Sequence, residues 1–157
     1  IAPAIRPCKG RRGTGKAQPL RQAESELQRA LKVAPRDYAA LAMMAKVRRK
    51  GDVAAAKRYA EQAKAQYPGE AQAHHLSGIA DLGLKRYEAA LEGFSAYERL
   101  LPGNPNTVFL KVVSLEGMNR QGDAAREYFR YLQSVKRGDK AQYAYRRLVG
   151  WGVIRIR

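Results

Sequence analysis

The chain has 157 residues, a formal net charge of +16, 45% apolar and 8% aromatic residues, and a single cysteine, Cys8. One thiol excludes an intrachain disulfide or a cysteine metal site, no run approaches the roughly 18 apolar residues of a membrane span, and the apolar, ring-rich middle excludes disorder there. The length suits about one domain, the start at Ile1 fits a piece of a longer protein, and the charge favours acidic partners: nucleic acid, anionic lipid or an acidic protein face.

Residues 1–20 hold three prolines, three glycines and five basic residues with no acid, and read as a disordered basic tail or linker. The run from Gly10 to Lys16 imitates a phosphate-binding loop, but Ala17 stands where Ser or Thr must reach the magnesium ion, and Pro3 and Pro7 interrupt any preceding strand. That reading is rejected. A helix is predicted from about 21 to 33, then a turn in which Asp37 caps a helix over 38–50, with Leu41, Met44, Ala45 and Val47 on its apolar side. Gly51 and Asp52 break it. The alanine-rich run 53–66 has high helix propensity and ends at Pro68 and Gly69.

The next helix, over about 70–84, presents Leu76, Gly78, Ile79, Leu82 and Leu84, and the clearest amphipathic run follows over 86–102. There Tyr87, Ala90, Leu91, Phe94, Tyr97 and Leu101 share a stripe at three- and four-residue spacing, and Pro102 stops it. After the Pro102 to Pro105 turn, Asn106 or Thr107 is expected to cap a helix over 108–120. Gly122 and Asp123 are expected to repeat the earlier break. An aromatic-rich helix over 124–135, a final helix over 139–149 that covers the open end, and a short tail over 151–157 complete the chain.

The frame of alanine, large apolar residue and proline recurs. Its marker alanines, Ala23, Ala56, Ala90 and Ala125, lie 33, 34 and 35 residues apart, and a period near 34 with two helices per unit signals a helical array. In these residues the chain resembles the tetratricopeptide repeat (TPR) family. Gly78 matches the glycine of that family's first helix, Tyr87, Ala90, Phe94 and Pro102 match its second, and Gly51, Ala56, Ala63 and Pro68 fit the unit before. The first unit lacks its first helix, the last lacks the proline, and Asp81 stands where the family usually has an aromatic. The resemblance implies an all-α fold: a right-handed TPR-like solenoid of antiparallel helix pairs with a C-terminal capping helix. Its expected units are a half repeat over 21–36, repeats over 37–69, 70–104 and 105–137, and a cap over 138–150.

A narrower resemblance, carried by residues 70–78, 100–110, 114–118 and 143–152, is to the repeat region following the peptidase domain in some bacterial M48-type zinc metallopeptidases of the cell envelope. The His-Glu-x-x-His helix of those enzymes does not occur here, so this chain is similar to their non-catalytic part. His74 and His75 point about 100° apart on a helix and cannot chelate one ion together. No base stands with a nucleophile or a paired carboxylate in a catalytic arrangement, so no enzyme activity, cofactor or metal is expected.

Binding remains. In the TPR architecture the first helices of successive units line a concave groove. Matching them here selects Tyr38, Leu41, Ala45, Arg48 and Arg49 from one helix, Gln72, His75 and Ile79 from the next, and Thr107, Leu110 and Ser114 from the third. The expected partner is a peptide or a partner protein's helix, with Arg48 and Arg49 pairing to its carboxylates; the same arginines also read as a helix end favoured by the dipole. Two other classes stay open. Arg- and Tyr-rich stretches near the C-terminus suit nucleic acid, including RNA, and the unpaired first half repeat suits oligomerisation. The compartment follows the family: periplasm or cell envelope with the metallopeptidase kinship, cytoplasm otherwise.

Overall fold

The computed structural model describes residues 17–156. The expectations for Cys8, for Gly10 to Lys16 and for most of the basic tail fall outside the described residues. Within them the chain forms eight helices and no strand: α1 (Ala17–Val33), α2 (Tyr38–Arg48), α3 (Val53–Gln66), α4 (Ala71–Gly83), α5 (Tyr87–Leu100), α6 (Asn106–Gly117), α7 (Gln121–Ser134) and α8 (Asp139–Gly150). Each packs on its neighbours in sequence, and α2 also touches α4. That nearest-neighbour pattern is the mark of a solenoid.

The turns follow from a few side chains. Asp37 and Asp52 accept hydrogen bonds from the amides of Ala40 and Ala55, at 2.7 and 2.9 Å, and so satisfy orphan donors at the starts of α2 and α3. α4 and α6 end alike. Lys85 and Asn119, 34 residues apart, both adopt φ 58, and the amide that follows each reaches back five residues, Arg86 to Asp81 and Arg120 to Leu115, at 2.8 Å. This closure occupies the last carbonyls of both helices.

Several expected boundaries move. α1 begins at Ala17, because Pro19 falls in its first turn, where a missing N–H costs nothing. α6 begins at Asn106, and the side chain that organises its start is neither Asn106 nor Thr107 but Asn104, whose Oδ1 accepts from the Asn106 amide at 3.0 Å. Gly122 and Asp123 lie inside the first turn of α7; the break is at Asn119. Beyond α8, Trp151 and Ile154 pack against the core that α6, α7 and α8 share, so this part of the chain is tied down.

The core repeats with a period of 34. Ala56, Ala90 and Ala124 are buried at one level, Ala60, Phe94 and Tyr128 at the next, and Ala63, Tyr97 and Tyr131 at the third. The expected continuation through Ala125 and Phe129 is therefore one residue late. Ala125 is buried beside the true marker, but Phe129 is 40% exposed on the outside of α7.

Candidate functional site

The same period sorts the first helices of the pairs, α4, α6 and α8. Ala73, Thr107 and Ala141 are buried, as are Ala80, Ser114 and Leu148, so these positions face inward to the preceding pair. One residue earlier lies a different stripe: Gln72, His75 and Ile79 on α4, Asn106, Phe109 and Val113 on α6, and Lys140, Tyr143 and Arg147 on α8, all half-buried or exposed. On α2 the matching positions are Ala39, Ala42 and Lys46, with Arg49 just past the helix end; Ala42 is buried with Ala45, Ala60 and Leu76, whereas Ala39, Lys46 and Arg49 are exposed. Apart from Ala42, these residues share the accessible side of the first helices, the inner face of the array.

Of the sequence-predicted groove residues, Gln72, His75, Ile79, Leu110 and Arg49 are at least half-buried-to-exposed and reach a surface. Others do not. Leu41 packs in the core with Ala63 and Ala73, Ala45 packs with Ala60 and Leu76, and Thr107 and Ser114 are buried. Ser114 turns its hydroxyl back to the Leu110 carbonyl at 3.0 Å. Tyr38 lies against the Leu41 cluster with its ring edge-on to Tyr67, 5.4 Å between centroids, and burial raises its pKa. Arg48 pairs with Glu24 of α1, away from the inner face.

One cause accounts for the expected positions that fall in the core. A slip of one residue rotates a helical position by about 100°, enough to exchange an inner-face residue for a core residue. The sequence signal that would have found Phe109, Val113, Lys140, Tyr143 and Arg147 is the strict 34-residue step from Gln72, His75 and Ile79.

The two ends of the inner face differ in electrostatics. At α2 and α4, His75 packs on the rings of Phe94 and Tyr97, at 5.9 and 5.2 Å between centroids, with its Nδ1 buried and unpartnered. Burial, and then the nearby charges of Arg49 and Lys46, lower its pKa below 6.5 and favour the neutral ring. Among the described residues no ion pair engages Lys46 or Arg49. At α6 and α8 the polar groups are closed among themselves. Arg147 holds Glu116 at 2.8 Å and stacks 4.6 Å over Trp151, while Lys140 bonds Asn106 and lies 5.5 Å over the Phe109 ring, itself 6.3 Å from Tyr143.

No described group of three or more His, Cys, Asp and Glu could hold a metal ion. His74 bonds the Pro68 carbonyl at 2.8 Å, which leaves it apart from His75. No described helix is long and apolar enough to cross a membrane.

No protein-family model matches the chain, and no curated protein matches it in sequence. Solved structures do. A crystal structure of MamA superposes with a TM-score of 0.70 at 15% identity, covering 74% of this chain and 69% of that one, and a second MamA structure gives 0.69 at 15%, covering 74% and 64%. The fold is a TPR-like helical solenoid. At this identity the likeness concerns the fold, and the chain spans about two thirds of the length of those proteins.

Proposed function

We propose that this chain is a non-catalytic protein-interaction module that takes an acidic peptide or partner helix along its inner face. The observation that carries the reading is the pair of exposed cations Lys46 and Arg49, near enough for their charge to act on His75 and engaged by no carboxylate among the described residues. Carboxylates of a ligand would supply that partner, and Ile79, Phe109 and Val113 would supply apolar area. Arg48, expected from the sequence to share this role, is used internally by Glu24 and drops out of the proposal. The kinship with envelope metallopeptidases rests on the sequence runs alone, and the inner face needs no enzyme beside it to bind.

The test is a titration of a labelled peptide of alternating glutamates and leucines. Lys46→Glu with Arg49→Glu should weaken binding at least tenfold, about 1.4 kcal/mol, while Arg48→Glu should lower stability and leave affinity nearly intact. Equal affinity of the double variant and the parent would overturn the reading. A labelled oligonucleotide that binds more tightly than the peptide, with a steep loss in salt, would move the assignment to nucleic acid.

An acidic ligand beside His75 stabilises its charged form, so binding takes up a proton. Affinity should rise as the pH falls from neutral toward the lowered His75 pKa, and His75→Gln should flatten that slope.

A further inference from the structure

At the two ends of the described array, α1 and α8 each keep one side with no described helix against it. α1 occupies the place of a second helix: Ala23 precedes Ala56 by 33 residues, and Ala56, Ala90 and Ala124 then follow at steps of 34. In α3, α5 and α7 the level three and seven residues on is packed against the pair's own first helix. In α1 the residues at those levels, Glu26 and Ala30, are exposed, and Ala23 is half-buried, because no described helix precedes it.

α8 occupies the place of a first helix. Ala141, Ala144 and Leu148 are buried against the preceding pair. Its other side, which in α6 carries Val108 and Lys111 buried under α7, here carries Gln142, Tyr145 and Arg146, all exposed. A cavity of about 410 Å³ lies along that side, lined by Leu132, Lys136, Ala141, Gln142, Tyr145 and Arg146. It is the space a following second helix would fill.

We propose that copies of this chain stack head to tail, with α1 of one copy seated on α8 of the next, so that two half pairs complete one helix pair. Register and charge both favour this occupant. Glu26 stands at the repeat position of Glu127 in α7 and of Gly93 in α5. Glu127 pairs with Lys111 at 2.8 Å, and a Cβ on Gly93 would lie 3.0 Å from the His74 carbonyl and 3.2 Å from the Gly78 backbone. The residues of α8 at those three positions are Tyr145, Gln142 and Arg146, so a seated α1 brings Glu26 against Arg146, with Lys136 lining the same cavity. The small Ala23 and Ala30 permit close approach. The contact is heterologous and does not close on itself, so it builds filaments rather than a fixed dimer.

The test is sedimentation velocity of the full chain over a wide concentration range, with Glu26→Arg and Arg146→Glu, both exposed positions, checked for unchanged helicity by circular dichroism. The parent should sediment faster as concentration rises, and each variant alone should associate at least tenfold more weakly, since like charges then meet. An equimolar mixture should recover assembly, because each variant's altered end matches the other's. A parent that stays monomeric at every concentration would leave α8 as a solvating end cap and overturn the proposal; so would single variants that assemble like the parent, or a mixture that fails to recover. The Lys46 and Arg49 surface is untouched by these substitutions, so peptide binding succeeds or fails separately.

Discussion

Where α4 carries Ser77, Gly78 and Asp81, α6 carries Lys111, Val112 and Leu115, at the same three places of consecutive repeats. Around α4 the polar groups are supplied from α3. Lys57 Nζ donates to Asp81 Oδ2 at 2.6 Å and to Ser77 Oγ at 2.8 Å, and Ser77 in turn donates to Glu61 at 2.6 Å. Small side chains leave a cleft of about 510 Å³ between α3 and α5, with Ser77 and Asp81 in its wall. Around α6 the polarity is reversed: Lys111 is the buried group, held by Glu98 of α5 at 3.0 Å and Glu127 of α7 at 2.8 Å, while Arg130 clamps both glutamates. One backbone thus accepts a buried acid fed by a lysine, or a buried lysine fed by two acids. What it demands is that charge at this level be paired.

Substitutions can break each half of this comparison. The largest effect should come from Phe94→Ala, which empties the ring packed against Gly78 and His75 and should cost about 3–5 kcal/mol in denaturant unfolding. Lys111→Ala should cost about 2 kcal/mol, because Glu98 and Glu127 then share only Arg130; Lys111→Ala combined with Glu127→Gln should recover part of the loss. Gly78→Ala should cost about 1–3 kcal/mol, since its Cβ would fall 2.8 Å from Cε1 of the fully buried Phe94 ring. A small cost for Gly78→Ala would show that the α4 level is as tolerant as the α6 level, which already holds Val112.

The smallest effect is the pH response of the α3–α4 cluster. Partial burial raises the Glu61 carboxyl, but hydrogen bonds from Lys57, Lys64 and Ser77 outweigh it and bring the pKa from 4.5 to about 2. A carboxyl lowered by folding stabilises fully above its unfolded value and loses that contribution as the pH falls. Unfolding free energy should therefore decline between pH 4.5 and about 2, and Glu61→Gln should remove part of that decline.

Much of the fold was legible because helix formation and repeat stacking depend on local spacing. The span 53–66 was readable from its alanine run and its flanking Asp52 and Pro68, and it agrees residue for residue with α3. Asp37 was legible as a cap for the same reason. The accessible side of α4 was equally readable, since Gly78, Ala90 and Phe94 anchor that unit firmly in register. On α2 and α6 the anchor was weaker. Two adjacent alanines, Ala124 and Ala125, are both buried, and a turn one residue shorter separates the starts of α2 and α4; either suffices to rotate the expected stripe into the core.

The sequence by itself determined an all-helical array, its period and most helix limits, because hydrophobic spacing and turn residues act over a few neighbours along the chain. Only the tertiary structure decided which side of α2 and α6 faces inward, that Arg48 is tied to Glu24 while Lys46 and Arg49 are not, and that Asp81 and Lys111 are buried charges with partners from neighbouring helices. Those outcomes depend on contacts between residues up to 24 positions apart, and on a rotation of 100° per residue that spacing near 34 leaves open until the helices are packed.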